Sequence, residues 1–149
     1  MDMYSRILVP VDGSSAAKGG LREAIKIAKE HHGVIRLIHV VIEVIPPREG
    51  FDAGGVWAEL RERGEEVLRE SRELVLKEHI EVESRLVERT TGYAGDAVIE
   101  DAGEWPADLI VIGTHGRRGL RRLLLGSDAE DIVRMTPVPV LLVRDQSDK

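Results

Sequence analysis

The chain contains no cysteine, which removes disulfides, thiolate nucleophiles and cysteine-ligated metals from consideration. Its five histidines include no H-x-H or H-x-x-x-H pair, so a zinc centre has no support. Neither a Gly-Lys-Ser/Thr phosphate loop nor a G-x-G-x-x-G fingerprint occurs. The opening residues, MDMYSRILVPVDGSS, lack a cationic segment followed by an apolar stretch and a cleavage site. No apolar run is long enough to cross a bilayer, and a cytoplasmic location away from membranes is expected. Basic residues are outnumbered as well. Lys and Arg total 21 against 27 Asp and Glu, a net charge of -6, which turns away nucleic acid as the main partner.

What is present suits one soluble domain over residues 1–149, with 42% hydrophobic and 32% charged residues. The most informative stretch runs from Leu109 to Ser127. Leu109–Gly113 is a short apolar run ending in glycine, as a strand buried on both faces ends at a turn. Gly113, Gly116, Gly119 and Gly126 then punctuate a segment carrying Arg117, Arg118, Arg121 and Arg122. Ser127 opens a helical pattern, SDAEDIVRM, where a hydroxyl is expected to cap bare backbone N–H groups. Each part suits a phosphate. Glycine lets backbone approach a bulky anion, a helix N-terminus offers free donors, and arginine adds forked charge.

The remaining pattern alternates strand and helix. Arg6–Val11 reads as a strand stopping at Asp12, and Ser14 or Ser15 can cap the next helix. Leu21, Ala24, Ile25 and Ala28 recur at helical spacing until His31-His32-Gly33, with glycine where a left-handed C-terminal residue belongs. His31 and His32 suit the negative end of that helix dipole. Val34–Ile42 is a second, mostly apolar strand holding His39. Glu43–Gly55, with two prolines and three glycines, is a connection that with Phe51 could serve as a lid. Val56 to His79 is helical, with Leu60, Val67, Leu68, Leu74 and Val75 as its buried stripe. Glu59/Arg63, Glu65/Arg69 and Glu73/Lys77 are i,i+4 pairs on its wet side. Ile80–Arg89 reads as an edge strand, Ala94–Gly103 as a short helix and Val138–Arg144 as a last strand. Pro139 places that strand's start or the strand itself at an edge. Trp57 and Trp105 read as helix-packing anchors rather than base-stacking platforms. Alternation of this kind implies a parallel sheet with helices on both faces. Ligands in such sheets bind beyond the C-terminal strand ends, where the winding direction reverses.

The spacing Gly-x2-Gly-x9-Gly-Ser, formed by Gly113, Gly116, Gly126 and Ser127, resembles the nucleotide signature of the universal stress protein family in its ATP-binding branch. The resemblance covers Tyr4 to Arg144. It implies a Rossmann-like α/β fold of the adenine nucleotide α-hydrolase-like kind, with a five-stranded parallel sheet in the order 3-2-1-4-5. It implies ATP or another adenine nucleotide, with Mg²⁺, as ligand. By residue-wise match, Pro10, Val11 and Asp12 hold the nucleoside. Asp12 meets the ribose or adenine, an ionised carboxylate being able to accept from two sugar hydroxyls; alone, it reads equally as a turn residue satisfying local N–H groups. Val40 matches the backbone position that recognises the adenine edge. Gly113, Thr114, His115, Gly116, Arg117, Arg118 and Gly119, with Gly126, Ser127, Asp128 and Ala129, match the segments that wrap the phosphates. Asp128 departs from the small or apolar residue usual there: it competes with phosphate for donors or holds Mg²⁺.

Without a P-loop lysine or an evident water-activating residue, the expected role is regulatory, with slow or no hydrolysis. Two other readings stay open. One is an ATPase or nucleotidyl-transferring enzyme using Asp12, His115 and Asp128; the other is a nucleotide-free interaction module. In the family, the last strand commonly pairs with its counterpart, so a homodimer through Val138, Val140 and Leu142 is expected.

Overall fold

A computed structural model describes residues 3–42, 52–114 and 126–145. In chain order the elements are β1 (Arg6–Pro10), α1 (Ser15–His31), β2 (Val34–Ile42), α2 (Ala53–Leu76), β3 (Val82–Arg89), α3 (Ala94–Glu104), β4 (Leu109–Thr114), α4 (Ser127–Met135) and β5 (Val140–Arg144). The five strands form one parallel sheet in the order β3-β2-β1-β4-β5. The chain winds outward from β1 in both directions, so the reversal falls between β1 and β4.

Alternation along the central strands divides the core. Ile7 and Val9 of β1 join Leu37, Val111 and Leu21 on the face covered by α1 and α2. Leu8 joins Ile38, Ile110, Val98 and Ile132 on the face covered by α3 and α4. A period of two sends neighbours to opposite faces, and helices on both sides make every β1 side chain from Ile7 to Val9 inaccessible.

Local chemistry explains the boundaries. Ser14 caps α1, its Oγ accepting from the Ala17 N–H at 3.1 Å. At the other end, left-handed backbone falls on His32 (φ 55°) and not on Gly33. Gly33 is needed for another reason: a Cβ there would stand 2.8 Å from the Tyr4 carbonyl oxygen. His31, in the last turn, ties the N-terminal segment to α1, its Nδ1 accepting the Met3 N–H at 3.0 Å. Helix α2 starts earlier than its apolar pattern, at Ala53, because Asp52 caps it by accepting from the Gly55 N–H at 3.0 Å. It ends at Leu76, three residues short of His79, which takes a left-handed turn (φ 59°).

The buried stripe of α2 is Gly64, Leu68, Ser71 and Val75. Leu74, expected inside, is 38% exposed, and Leu60 and Val67 are half-buried. The row through 64, 68, 71 and 75 is set by how closely α2 approaches the sheet. A Cβ on Gly64 would lie 2.6 Å from His39 Cδ2. On the wet side, Arg61 pairs with Glu88 of β3 and Arg69 with Glu66.

The N-terminal strand ends carry a closed polar network. Asp101 of α3, 1% exposed, takes Arg36 through both carboxylate oxygens at 3.0 Å and Arg85 at 2.5 Å. Glu104 first and Asp101 second hold the Arg85 guanidinium more firmly charged than usual. Trp105 caps α3, and Arg6 lies over its ring at 4.2 Å while donating to its carbonyl. This is the anchor role expected of Trp105; Trp57, half-buried in α2, has Arg61 at 6.0 Å. The expected lid with Phe51 lies outside the described residues. No described helix is long and apolar enough to cross a membrane.

Candidate functional site

At the opposite, C-terminal end of the sheet, between β1 and β4, lies a cleft of about 290 Å³. Its floor is apolar, built from Ile38, Val98, Ile112 and Ile132. Its rim is polar, with Asp12, Ser14, His39, Ser127 and Asp128. Apolar depth with a few polar groups at the edge is how small-molecule sites are generally made. Its location follows from the winding reversal, which leaves no crossover helix above the gap between β1 and β4.

Nine of the expected site residues line this cleft: Pro10, Val11, Asp12, Val40, Gly113, Gly126, Ser127, Asp128 and Ala129. Thr114 is placed otherwise. It is fully buried, and its Oγ1 donates to the Val143 carbonyl at 3.3 Å, tying β4 to β5. His115, Gly116, Arg117, Arg118 and Gly119 lie outside the described residues, as do Arg121 and Arg122.

Asp12 follows β1 on a sharp turn in which Gly13 adopts φ 85°. One oxygen of Asp12 accepts the Ser14 N–H at 2.9 Å, which is the local turn role. The side chain is nevertheless exposed at the cleft rim. His39 faces it from β2 and donates from Nδ1 to the Val11 carbonyl at 2.7 Å, since a carbonyl can only accept. That bond fixes the segment Pro10–Asp12 against β2, together with the Val11 N–H, which donates to the Ile38 carbonyl at 2.9 Å.

Two expectations need correcting. Gly113 does line the cleft, but its missing side chain is required by α1: a Cβ there would fall 1.9 Å from the Ala16 carbonyl oxygen. Gly20 meets it from the helix side, where a Cβ would stand 2.9 Å from the Gly113 nitrogen. The pair lets α1 lie directly on β4. Ser127 is not the cap of α4. Gly126 occupies that position (φ -66°, ψ 158°), and among the described residues no side-chain cap hydrogen bond is made there. The donors at the start of α4 thus face the cleft without a side-chain partner of their own, and a helix N-terminus in that state attracts anions.

Asp128 lies against the start of α3, its backbone carbonyl beside Gly95. Helix α3 has Tyr93 at its N-cap position and no side-chain cap hydrogen bond there. Partial burial raises the Asp128 pKa above the usual carboxylate range, the negative charges of Asp131 and Asp12 add to this, and the Gly95 N–H opposes it. Ala94 and Val98 of α3 form part of the cleft wall. In sequence they read only as helix residues, and no motif joins them to residues thirty positions later. Among the described residues, no three histidines, aspartates or glutamates converge to hold a metal by themselves.

Comparison with known proteins matches this architecture to one family. The sequence pattern of the universal stress protein family fits residues 3–144. A universal stress protein of Methanocaldococcus jannaschii is 34% identical over 96% of this chain and 84% of its own length. The crystal structure of a universal stress family protein from Burkholderia pseudomallei superposes with a TM-score of 0.79 at 31% identity, covering 96% of this chain and 98% of that one. A universal stress protein from Archaeoglobus fulgidus in complex with dAMP superposes with a TM-score of 0.70 at 25% identity, covering 95% and 98%. A strand order, a cleft at the winding reversal and near-complete coverage by these relatives converge on one conclusion: the chain belongs to the universal stress protein family.

Proposed function

We propose that the protein binds an adenine nucleotide in the cleft between β1 and β4 and acts as a nucleotide-dependent regulatory protein in a stress response. One observation carries this reading: the cleft has an apolar floor sized for a base and ends at an α4 N-terminus without a side-chain cap. The dAMP held by the Archaeoglobus relative supports the ligand class. In this reading Asp12 accepts from the sugar hydroxyls, and the Val40 backbone meets the adenine edge. Gly126, Ser127 and Ala129 present main-chain donors to the phosphates. Gly113 and the segment carrying His115, Gly116, Arg117, Arg118 and Gly119 complete the phosphate end. ATP with Mg²⁺ is the proposed physiological form, the metal offsetting phosphate charge.

Slow or no hydrolysis is proposed, the sequence holding no P-loop lysine. Titration calorimetry with ATP, ADP and AMP in the presence of Mg²⁺ tests the proposal. Saturable binding with one site per chain is expected, and absence of heat or affinity for every purine nucleotide would sink it. Phosphate release under saturating Mg·ATP is expected well below ~1 per second, and a turnover at or above that value would favour an enzyme.

The proposed assembly is a homodimer across β5. This strand lies at the sheet edge and begins at Val140, so Val138 precedes it. Val138, Val140 and Leu142 pack partly against the α3–α4 core, while Leu141 is 37% exposed. A bare apolar edge invites a second strand, and light scattering at micromolar concentration should give twice the chain mass.

A further inference from the structure

The cleft contains a feature that acts on the ligand's charge rather than on its base. Asp128 and Asp12 stand on its rim from two different segments of the chain, and the negative charge of Asp12 acts on Asp128. No lysine or arginine lines the cleft among the described residues. Asp128 lies in the first turn of α4, and α4 packs closely against α3 at Gly95. A Cβ at Gly95 would stand 3.1 Å from the Asp128 carbonyl oxygen and 3.0 Å from Asp131 Cβ. The Asp128 carboxylate therefore stays beside the start of α4, where an anion would arrive.

We propose that Asp128 is a specificity-determining residue that selects against phosphate charge. The cleft then prefers adenine compounds of low phosphate charge, nucleoside or monophosphate, over metal-free triphosphate, and it accepts the triphosphate only when a divalent cation offsets the charge. This rests on the nucleotide-binding proposal above and adds the basis on which that site chooses among its ligands. Like charges a few ångströms apart at a partly wet surface repel by an amount that grows with each added phosphate. The discrimination is therefore graded along the series adenosine, AMP, ATP.

The test is calorimetric titration of adenosine, AMP and ATP, each with EDTA and then with Mg²⁺, into the wild type, Asp128→Asn and Asp128→Ala. Asparagine keeps the shape and an acceptor oxygen of the side chain and removes the charge, whereas alanine removes all three. With EDTA, Asp128→Asn should tighten ATP roughly tenfold, AMP roughly threefold and adenosine less than twofold, and Mg²⁺ should shrink the ATP gain. Equal shifts for all three ligands, or no shift, would overturn the inference while leaving the nucleotide site standing. An effect in Asp128→Ala with none in Asp128→Asn would also overturn it, since side-chain shape and not charge would then be responsible. If neither the wild type nor either variant binds any adenine compound, the site proposal falls and this inference with it.

Discussion

The two ends of the sheet treat polar groups in opposite ways. At the N-terminal strand ends several charges are closed onto partners. Asp101 holds Arg36 and Arg85, Asp108 accepts from the backbone of Ser5 and Arg6 at 2.9 and 3.1 Å, and Arg6 donates to the Trp105 carbonyl. At the C-terminal ends the pattern inverts. Among the described residues, helix α4 starts without a side-chain cap, the negative charge of Asp12 acts on Asp128, and the cleft floor is apolar. Saturated polar networks fix a fold, whereas unsatisfied donors and like charges leave free energy to be gained from a ligand. One end of this molecule maintains the structure; the other is arranged to bind.

The strongest way to break that contrast is Asp101→Ala. It strands two guanidinium groups, and loss of one partner from a buried ion cluster costs about 3–5 kcal/mol. Because Arg85 keeps 41% of its side chain exposed, the lower end, about 3 kcal/mol, is expected in urea unfolding. Nucleotide affinity should be unchanged. Retained stability, or a loss of affinity in the folded variant, would deny the separation of the two ends. Gly113→Ala probes the other end: the new methyl meets the Ala16 carbonyl, and overpacking of this kind costs about 2–3 kcal/mol. Here stability and nucleotide binding should fall together, because α1 and β4 both border the cleft.

The smallest effect sharpens the comparison most. The Asp128 carboxyl has its folded-state pKa raised, chiefly by burial. The folded protein therefore prefers the protonated form. Stability is highest below the ordinary carboxylate range, falls as pH rises to the raised folded value and stays lower above it. Asp128→Asn removes that loss. It should be more stable than the wild type near neutral pH, within about 0.5 kcal/mol, and the advantage should vanish once acid protonates the wild-type carboxyl. A variant less stable at neutral pH would show that the Gly95 contact outweighs the burial of charge.

The sequence by itself determined the elements and their sequence order. Strict alternation of short β-rich runs with 3.6-period segments admits little but a parallel sheet covered on both faces. Glycine and helix-start chemistry brought Gly113, Gly126 and Ser127 into view, and the family resemblance added Pro10, Val11, Asp12, Val40, Asp128 and Ala129. Boundaries slipped where capping outran the apolar pattern, as at Asp52 and at His79. What only the tertiary structure decided are relations between elements distant along the chain. Gly113 is glycine because α1 presses on β4, Gly33 because it passes the Tyr4 carbonyl, and Gly95 because α4 lies against it. Asp128, which reads in sequence as a first-turn residue of its own helix, also lies against Gly95 of α3 through its backbone carbonyl. The physical reason is common to all four: hydrophobic period and helix propensity are set by neighbours along the chain, whereas excluded volume depends on which surfaces the sheet brings into contact.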